Sequence, residues 1–190
     1  MRVVLAGASS PIGQACAAAL RDKGHEAIEV TREWCDLTDA AAVAELAEGL
    51  GPVDGLFHLV GGWRGGSGLV GQSDDDYDWL HTRIVTTLRH TTKAFLPALA
   101  SSPAGRVAII STTGLAKPTA SNANYLACKA ASEAWLACVG HALRDTPASV
   151  HIERVMALFS DADRAANPGR DYAKYTHVDE LAGRLASLWN

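Results

Sequence analysis

Tyr125 and Lys129 lie four residues apart in a segment whose composition is typical of a helix. Positions i and i+4 share one face of a helix, so the two side chains can interact. An ammonium beside a phenol stabilises the phenolate and lowers the phenol pKa from its usual value of about 10. A tyrosine with a lowered pKa can exchange a proton near neutral pH, as general acid–base catalysis requires. The same spacing also arises by chance, as a surface tyrosine packed on a lysine stem.

Short apolar runs alternate with helical stretches along the chain, and this order indicates which elements position the pair. The predicted strands are Arg2–Ala6, Glu26–Thr31, Val53–Val60, Arg106–Thr112 and Val150–Ala157, with a very short one at Cys35–Leu37. The predicted helices are Ile12–Lys23, Ala40–Leu50, Asp74–Leu99, Asn122–Leu143 and Val178–Trp189. Such alternation predicts an α/β fold, a doubly wound parallel sheet of about six strands, as one domain over residues 1–190. The strands are apolar throughout, as expected when helices cover both faces.

Composition excludes several classes of partner. The 190 residues carry a net charge of −4 and contain no long basic run, so we expect neither nucleic acid nor a membrane as partner. No signal peptide or membrane-spanning run is recognisable. Neither the four cysteines nor the seven histidines show metal-ligand spacing, so no metal site is predicted. Free thiols favour a cytoplasmic location.

The first turn, Leu5–Gln14, follows a strand and opens a helix. In that setting glycines let the backbone approach a pyrophosphate, and helix N–H groups bind its charge. A tight turn without a ligand is the alternative. The candidate cofactor-binding residues of this turn are Gly7, Ser9, Ser10, Ile12 and Gly13.

Arg32 directly follows the second predicted strand. An acidic residue there would bind the ribose 2′-hydroxyl of NAD, whereas arginine pairs with the 2′-phosphate of NADP. The sequence therefore favours NADP. NAD remains the alternative if the neighbouring Glu33 binds the ribose instead, and Arg32 would then be a solvated surface charge.

Four motifs, in this order and spacing, resemble the short-chain dehydrogenase/reductase family over about residues 1–160. They are Gly7-x5-Gly13, Asp36-Leu-Thr, Leu59-Val-Gly-Gly and Tyr125-x3-Lys129. The resemblance implies a Rossmann fold and hydride transfer between a nicotinamide and a carbonyl or imine carbon.

The resemblance also implies roles for single residues. Asp36, with Leu37 beside it, would contact the adenine edge, and Gly61 and Gly62 would line the cofactor. Lys129 would hold the nicotinamide ribose as well as tune Tyr125.

Thr112 lies thirteen residues before Tyr125, where the family carries its catalytic serine. The threonine hydroxyl can also hydrogen-bond a substrate oxygen, so Thr112 completes the candidate catalytic set. Ser111 is the alternative if the register differs by one residue.

The segment Val60-Gly-Gly-Trp-Arg-Gly-Gly resembles a narrower branch, the dihydropteridine reductases. Only four residues separate Thr31 from Asp36, which leaves no room for a crossover helix, and that branch likewise has a reduced second crossover. This resemblance implies that Trp63 faces the substrate, where its ring can stack on a planar heterocycle. A loop cap or an oligomer contact is the alternative role for Trp63.

The chain departs from the family pattern at four places. Pro11 stands where the family has a second glycine in the first turn. The family's helix asparagine aligns with about Ile84, so that side chain is absent here. After the sixth predicted strand, Val155-Met-Ala-Leu-Phe stands where the family has Pro-Gly. A seventh strand is also missing at the carboxyl-terminal end.

These features favour an NADPH-dependent reductase of a carbonyl or imine group on a small cytosolic molecule. Tyr125 would donate the proton, Lys129 would position the ribose, and Thr112 would hold the substrate heteroatom. The departures leave two alternatives open. One is a nucleotide-binding sensor or partner subunit with little redox activity, and the other is a non-redox dehydratase or cyclase on the same fold.

A homodimer is expected through helices Asp74–Leu99 and Asn122–Leu143, which the family commonly pairs across a two-fold axis. The second helix carries a face of small residues, namely Ala123, Ala127, Ala130, Ala131, Ala134 and Ala137. On the first helix, Leu80, Ile84, Leu88 and Phe95 fall near helical spacing and exceed what the sheet needs to bury. A monomer in which both helices only cover the sheet is the alternative.

Overall fold

A five-stranded parallel sheet forms the centre of the computed structural model, which describes residues 1–189. Its strands are β1 (Arg2–Ala6), β2 (Glu26–Val30), β3 (Gly55–His58), β4 (Arg106–Thr112) and β5 (Ser149–Val155). The helices are α1 (Pro11–Asp22), α2 (Ala40–Leu50), α3 (Asp74–His81), α4 (Thr87–Ser101), α5 (Ala123–Ala142), α6 (Asp161–Ala166) and α7 (Val178–Ala186). A separate parallel pair consists of β6 (Leu158–Phe159) and β7 (Thr176–His177). The predicted α/β class is confirmed. Apart from the strand at Cys35–Leu37 and the helix over Asp74–Leu99, the predicted helices and strands agree with these bounds to within three residues.

The strands lie in the order β2-β1-β3-β4-β5. The chain builds outward from β1 to β2 and then returns, through α2, to the other side of β1. This reversal creates a switch point between β1 and β3, where Ala6 pairs with His58 at the carboxyl edge. Ligands of open α/β sheets bind at such a crevice, so the topology fixes where the site can be.

Two apolar layers hold the sheet between its helices. Alternate strand side chains point to opposite faces, so neighbouring residues of β1 enter different layers. One layer packs β1 and β3 against α1 and α7, through Val3, Leu5, Phe57, Leu20, Leu181 and Leu185. The other packs the sheet against α2, α4 and α5, through Val4, Leu56, Ile109, Val43, Phe95 and Leu136.

The predicted strand at Cys35–Leu37 is wrong, and the central sheet therefore has five strands rather than about six. The backbone N–H groups of Trp34 and Cys35 bond to the carbonyl of Thr31 and form a turn. The Asp36 carboxylate then accepts hydrogen bonds from Thr38. These local bonds use the backbone groups that a sheet ladder would need, while Cys35 and Leu37 still bury their side chains.

The long helix predicted over Asp74–Leu99 is interrupted by a π-helical turn at Thr82–Thr86, between α3 and α4. Just after this turn, the Thr87 hydroxyl donates a hydrogen bond to the carbonyl of Arg83 at 2.6 Å. A π turn shifts the side chains that follow relative to a regular helix, and such turns are frequent at functional sites. Apolar periodicity gives no sign of this interruption.

The sequence predicts that four apolar residues of this segment are left over for a dimer interface, but all four are buried within the protomer. Leu80, Ile84, Leu88 and Phe95 are each at most 2% exposed. The first two pack with Val85 and Cys128 under α5, and the last two enter the sheet core. The prediction that they are available for an interface is therefore wrong.

The segment after β5 contains elements that the sequence did not predict. The two-residue strands β6 and β7 join Leu158–Phe159 to Thr176–His177, and a capping box of Ser160 and Asp163 starts α6. Elements this short carry no periodic signal. Through residue 189, no strand after β5 joins the central sheet. None of the helices in the described part of the chain combines the length and apolarity needed to cross a bilayer.

Candidate active site

A cleft of about 1140 Å³ opens at the carboxyl ends of the central strands. It brings together eleven of the residues predicted from sequence. These are Gly7, Ser9, Ser10, Ile12, Gly61, Gly62, Trp63, Ser111, Thr112, Tyr125 and Lys129. Residues separated by more than a hundred positions thus border one space.

The turn between β1 and α1 forms one end of the cleft. Gly7 adopts a φ of +93°, which favours glycine, and Pro11 begins α1 where its missing N–H costs nothing. The Ser10 hydroxyl accepts a hydrogen bond from the Gly13 N–H at 3.1 Å and donates one to the Gly7 carbonyl at 2.8 Å. A Cβ on Gly13 would lie 2.6 Å from Ala8, so Gly13 sets the packing of the turn and does not border the cleft. The compact turn and the helix start fit a pyrophosphate.

Tyr125 and Lys129 lie on α5 at the other side of the cleft. The Lys129 side chain is buried, and its ammonium donates a hydrogen bond to the Ile110 carbonyl at 2.6 Å. Nζ lies 5.8 Å from the centroid of the Tyr125 ring. Burial lowers the pKa of Lys129 to about 8, although the charge of Glu133 raises it in part.

Burial raises the pKa of Tyr125 above its ordinary value, and the nearby Thr112 hydroxyl offsets this only in part. The predicted direction of this shift is therefore wrong for the structure. The Lys129 ammonium is bonded to the Ile110 carbonyl rather than to the phenol oxygen. The phenol consequently stays protonated at neutral pH.

Thr112 ends β4 and is 5% exposed. Its oxygen accepts a hydrogen bond from the Gly114 N–H at 3.0 Å, which leaves the hydroxyl proton available to the phenol or to a substrate oxygen. Ser111 also borders the cleft, but its buried Oγ makes no hydrogen bond of normal geometry within the described part of the chain. Thr112 is therefore the better-supported partner of Tyr125.

The loop after β2 carries the remaining predicted cofactor residues, none of which borders the cleft. Arg32 and Glu33 are exposed, and Arg32 forms no salt bridge with any of residues 1–189. Asp36 accepts hydrogen bonds from the Thr38 backbone N–H and hydroxyl at 2.9 and 2.8 Å, and these bonds lower the pKa of its carboxyl. Leu37 buries its side chain in the core, and its carbonyl is bonded to the His90 ring at 3.1 Å, so its side chain does not meet a ligand.

His58 borders the cleft and was missed by the sequence analysis. Its two ring nitrogens bond to the hydroxyls of Thr87 at 3.1 Å and Thr91 at 3.2 Å. Burial, aided by the charge of Lys129, lowers the pKa of His58 to about 3, so the ring is neutral and joins β3 to α4. Its partners lie about thirty residues away in another element, and no local pattern reveals them.

Trp63 stands at the rim of the cleft and is 65% exposed. Its indole N–H donates to the Asn122 side chain at 3.2 Å. The Gln72 side chain anchors the same loop, donating to the Ser121 carbonyl at 3.1 Å and accepting from the Asn124 N–H at 3.2 Å. The loop is therefore tied to the start of α5, two residues from Tyr125.

Three further cations, Arg83, Lys117 and Lys174, also border the cleft and carried no sequence signal. Among residues 1–189, no group of three or more His, Cys, Asp or Glu side chains is arranged to hold a metal ion.

Residues 1–167 match the family described as short chain dehydrogenase. The chain therefore belongs to the short-chain dehydrogenase family and is an NAD(P)-dependent oxidoreductase of that type.

Solved structures share the fold over nearly the whole chain. NAD⁺-bound xylitol dehydrogenase is 20% identical with a TM-score of 0.80, covering 100% of this chain and 92% of that chain. A metagenomic short-chain oxidoreductase in complex with NADP is 24% identical with a TM-score of 0.76, covering 99% of this chain and 90% of that chain. ElxO with NADP bound is 14% identical with a TM-score of 0.86, covering 100% of this chain and 91% of that chain. No curated protein sequence matches the chain.

Proposed function

We propose that the protein is an NADPH-dependent reductase of a carbonyl or imine group on a small molecule. The observation that carries this proposal is the meeting of Tyr125, Thr112 and Lys129 in one cleft with the Gly7 turn. A cleft that served only to bind a nucleotide would need no phenol beside an ammonium and a hydroxyl.

The residues present fit the cofactor. The turn from Gly7 to Gly13 and the start of α1 would hold the pyrophosphate, and Lys129 would hold the nicotinamide ribose. Lys129 uses one of its three protons on the Ile110 carbonyl, which leaves two for ribose hydroxyls. Arg32, which is exposed and forms no salt bridge with the residues that the structure describes, would pair with the 2′-phosphate. When bound, NADPH supplies the hydride.

The proton chemistry follows from the state of the phenol. Because burial raises the pKa of Tyr125, the resting residue is an acid, as a reduction requires. Thr112 donates its free hydroxyl proton to the substrate heteroatom and orients it toward the phenol. As the phenol loses its proton, the nearby Lys129 charge stabilises the phenolate.

A planar heterocycle is the substrate class that best fits the rim. Trp63 is held by Asn122 and still exposes most of its ring beside the cleft. An exposed indole face stacks on flat rings. The resemblance of the Gly61–Gly66 segment to dihydropteridine reductases supports a pterin-like compound.

The test is NADPH oxidation over a panel of carbonyl and imine compounds, followed with Tyr125→Phe. Loss of the proton donor should lower kcat by roughly 10²–10⁴-fold, with NADPH affinity nearly unchanged. Tyr77→Phe, on the exposed face of α3, is the matched control and should keep wild-type kcat. Wild-type turnover in Tyr125→Phe would refute the assigned mechanism.

A homodimer and a cytoplasmic location complete the proposal. Five alanines on one face of α5 are exposed and permit close approach of a second helix, namely Ala127, Ala130, Ala131, Ala134 and Ala137. All four cysteines are free thiols, as is usual in a reducing compartment. Light scattering at micromolar concentration should give the mass of two chains, and Ala131→Glu should reduce it to one.

A further inference from the structure

We propose that Arg83 binds an acidic group of the substrate, such as a carboxylate. The inference rests on the proposed reductase function and adds a substrate class to it. The substrate would carry, besides its reducible bond, an anion that the guanidinium recognises.

The π-helical turn brings Arg83 to the cleft. Its guanidinium carbon lies 4.6 Å from the centroid of the Trp79 ring. The Trp79 ring in turn packs on Gly62, where an added Cβ would lie 2.4 Å from it. Arg83 is therefore held beside the Gly61–Gly62 wall of the cleft.

The neighbouring Arg64 has an acidic partner, whereas Arg83 has none among residues 1–189. Both guanidinium groups lie over the Trp79 ring, Arg64 at 4.0 Å, but Arg64 is bonded to Asp76 at 2.6 Å and does not border the cleft. Arg83 forms no salt bridge with any of residues 1–189, and its buried Nε has no hydrogen-bond partner. Nε is enclosed by the protein, so a ligand would meet the two terminal Nη groups, which can bind a planar anion through two parallel hydrogen bonds.

The charge of the cleft supports an anionic substrate. Among residues 1–189, four cations border it, Arg83, Lys117, Lys129 and Lys174, and no aspartate or glutamate does. The whole chain has a net charge of −4, so this excess is local. The proposed cofactor contacts use Lys129 but not Arg83, so the Arg83 guanidinium is left for another anion. Low-dielectric walls of one sign concentrate ligands of the opposite sign.

The test is direct binding of benzoate and of its neutral analogue benzamide, measured by titration calorimetry with saturating NADP⁺. Wild-type protein should prefer benzoate, and Arg83→Gln should weaken benzoate binding about ten- to a hundredfold while leaving benzamide unchanged. Arg83→Lys keeps the charge and should retain part of the preference. Arg64→Gln, the neighbour on the same ring, should behave as wild type.

Equal binding of benzoate and benzamide by the wild-type protein would overturn the proposal. So would unchanged benzoate binding in Arg83→Gln, or a loss confined to NADP⁺ affinity, which would assign Arg83 to the cofactor. Thermal unfolding of each variant shows whether it is folded, so that a loss of binding is not mistaken for a loss of structure. Because binding is read without turnover, its failure is distinguishable from failure of the reductase proposal, which the Tyr125→Phe kinetics decide.

Discussion

The two ends of the proposed cofactor site are built in opposite ways. At one end, Lys129 and Thr112 are buried and bonded to backbone atoms of β4 and of the turn that follows it. At the other end, Arg32 and Asp36 are exposed on a loop that belongs to no strand. The first end is fixed by the core, and the second is held mainly by its own local hydrogen bonds.

This difference separates chemistry from cofactor choice. Groups that handle a proton must keep their geometry to a fraction of an ångström, and packing in a rigid wall provides that. A group that selects between two cofactors needs only charge and reach, so an exposed arginine suffices. We therefore expect substitutions at the buried end to affect turnover and those at the exposed end to affect affinity alone.

Lys129→Met should give the largest effect, because one ammonium serves both the phenol and the ribose. We expect kcat to fall by roughly 10²–10⁴-fold and NADPH affinity to fall by about tenfold or more. Steady-state kinetics and fluorescence titration measure the two separately. Lys93→Met, an exposed lysine on α4, is the control and should change neither. Loss of affinity without loss of turnover would show that the ammonium has no catalytic role.

Arg32→Ala should affect affinity only. Removing a charge-assisted bond to the 2′-phosphate should weaken NADPH binding about ten- to a hundredfold and leave NADH binding unchanged. Raising the salt concentration should reduce the wild-type preference, because this contact is solvent-exposed. Arg144→Ala, exposed at the end of α5, should have no effect. Tighter binding of NADH by the wild-type protein would mean that Glu33 or Asp36 binds the ribose.

The parts of the fold that could be predicted from sequence are those governed by regular periodicity. The strands β1 and β4 and the helix α2 match their predicted bounds, because buried strands and amphipathic helices impose a pattern on many residues. The prediction of a strand at Cys35–Leu37 was wrong because Cys35 and Leu37 alternate with a polar residue, as in a strand. The Asp36 carboxylate instead accepts local hydrogen bonds from Thr38.

The site shows the same limit. Tyr125, Lys129 and the Gly7 turn could be picked out from local spacing, and the structure places all three at the cleft, while their roles stay predictions. Arg83 and His58 could not be picked out in this way, because the first depends on a π turn and the second on two threonines of another element. The sequence predicts a lowered pKa for Tyr125, whereas burial raises it in the structure. The sequence shows which charges are near but not how deeply a phenol is buried.

The buried end should also contribute to the pH dependence of stability. Burial lowers the pKa of Lys129 from 10.5 to about 8. Between these pH values the unfolded chain holds a proton that the folded chain has lost, so this lysine makes stability rise with pH through the window. We expect the stability of wild type relative to Lys129→Met to increase by roughly 1–3 kcal/mol from about pH 8 to 10.5. Urea denaturation of both proteins, without cofactor, measures this difference, and a constant difference across the window would contradict the buried ammonium.

Trp63→Leu should give the smallest effect, because Trp63 belongs to neither end of the cofactor site and would contact the substrate but not the cofactor. Its ring is exposed at the rim and held through the Asn122 side chain, so it can stack without rearrangement. Stacking contributes about 0.5–1.5 kcal/mol, so KM for a planar heterocycle should rise about two- to tenfold, with kcat and NADPH affinity unchanged. Trp34→Leu is the control, since Trp34 is similarly exposed, at 53%, but does not border the cleft. An equal rise in KM for a non-planar ketone would mean that Trp63 only shapes the loop, and the planar substrate class would then lose its support.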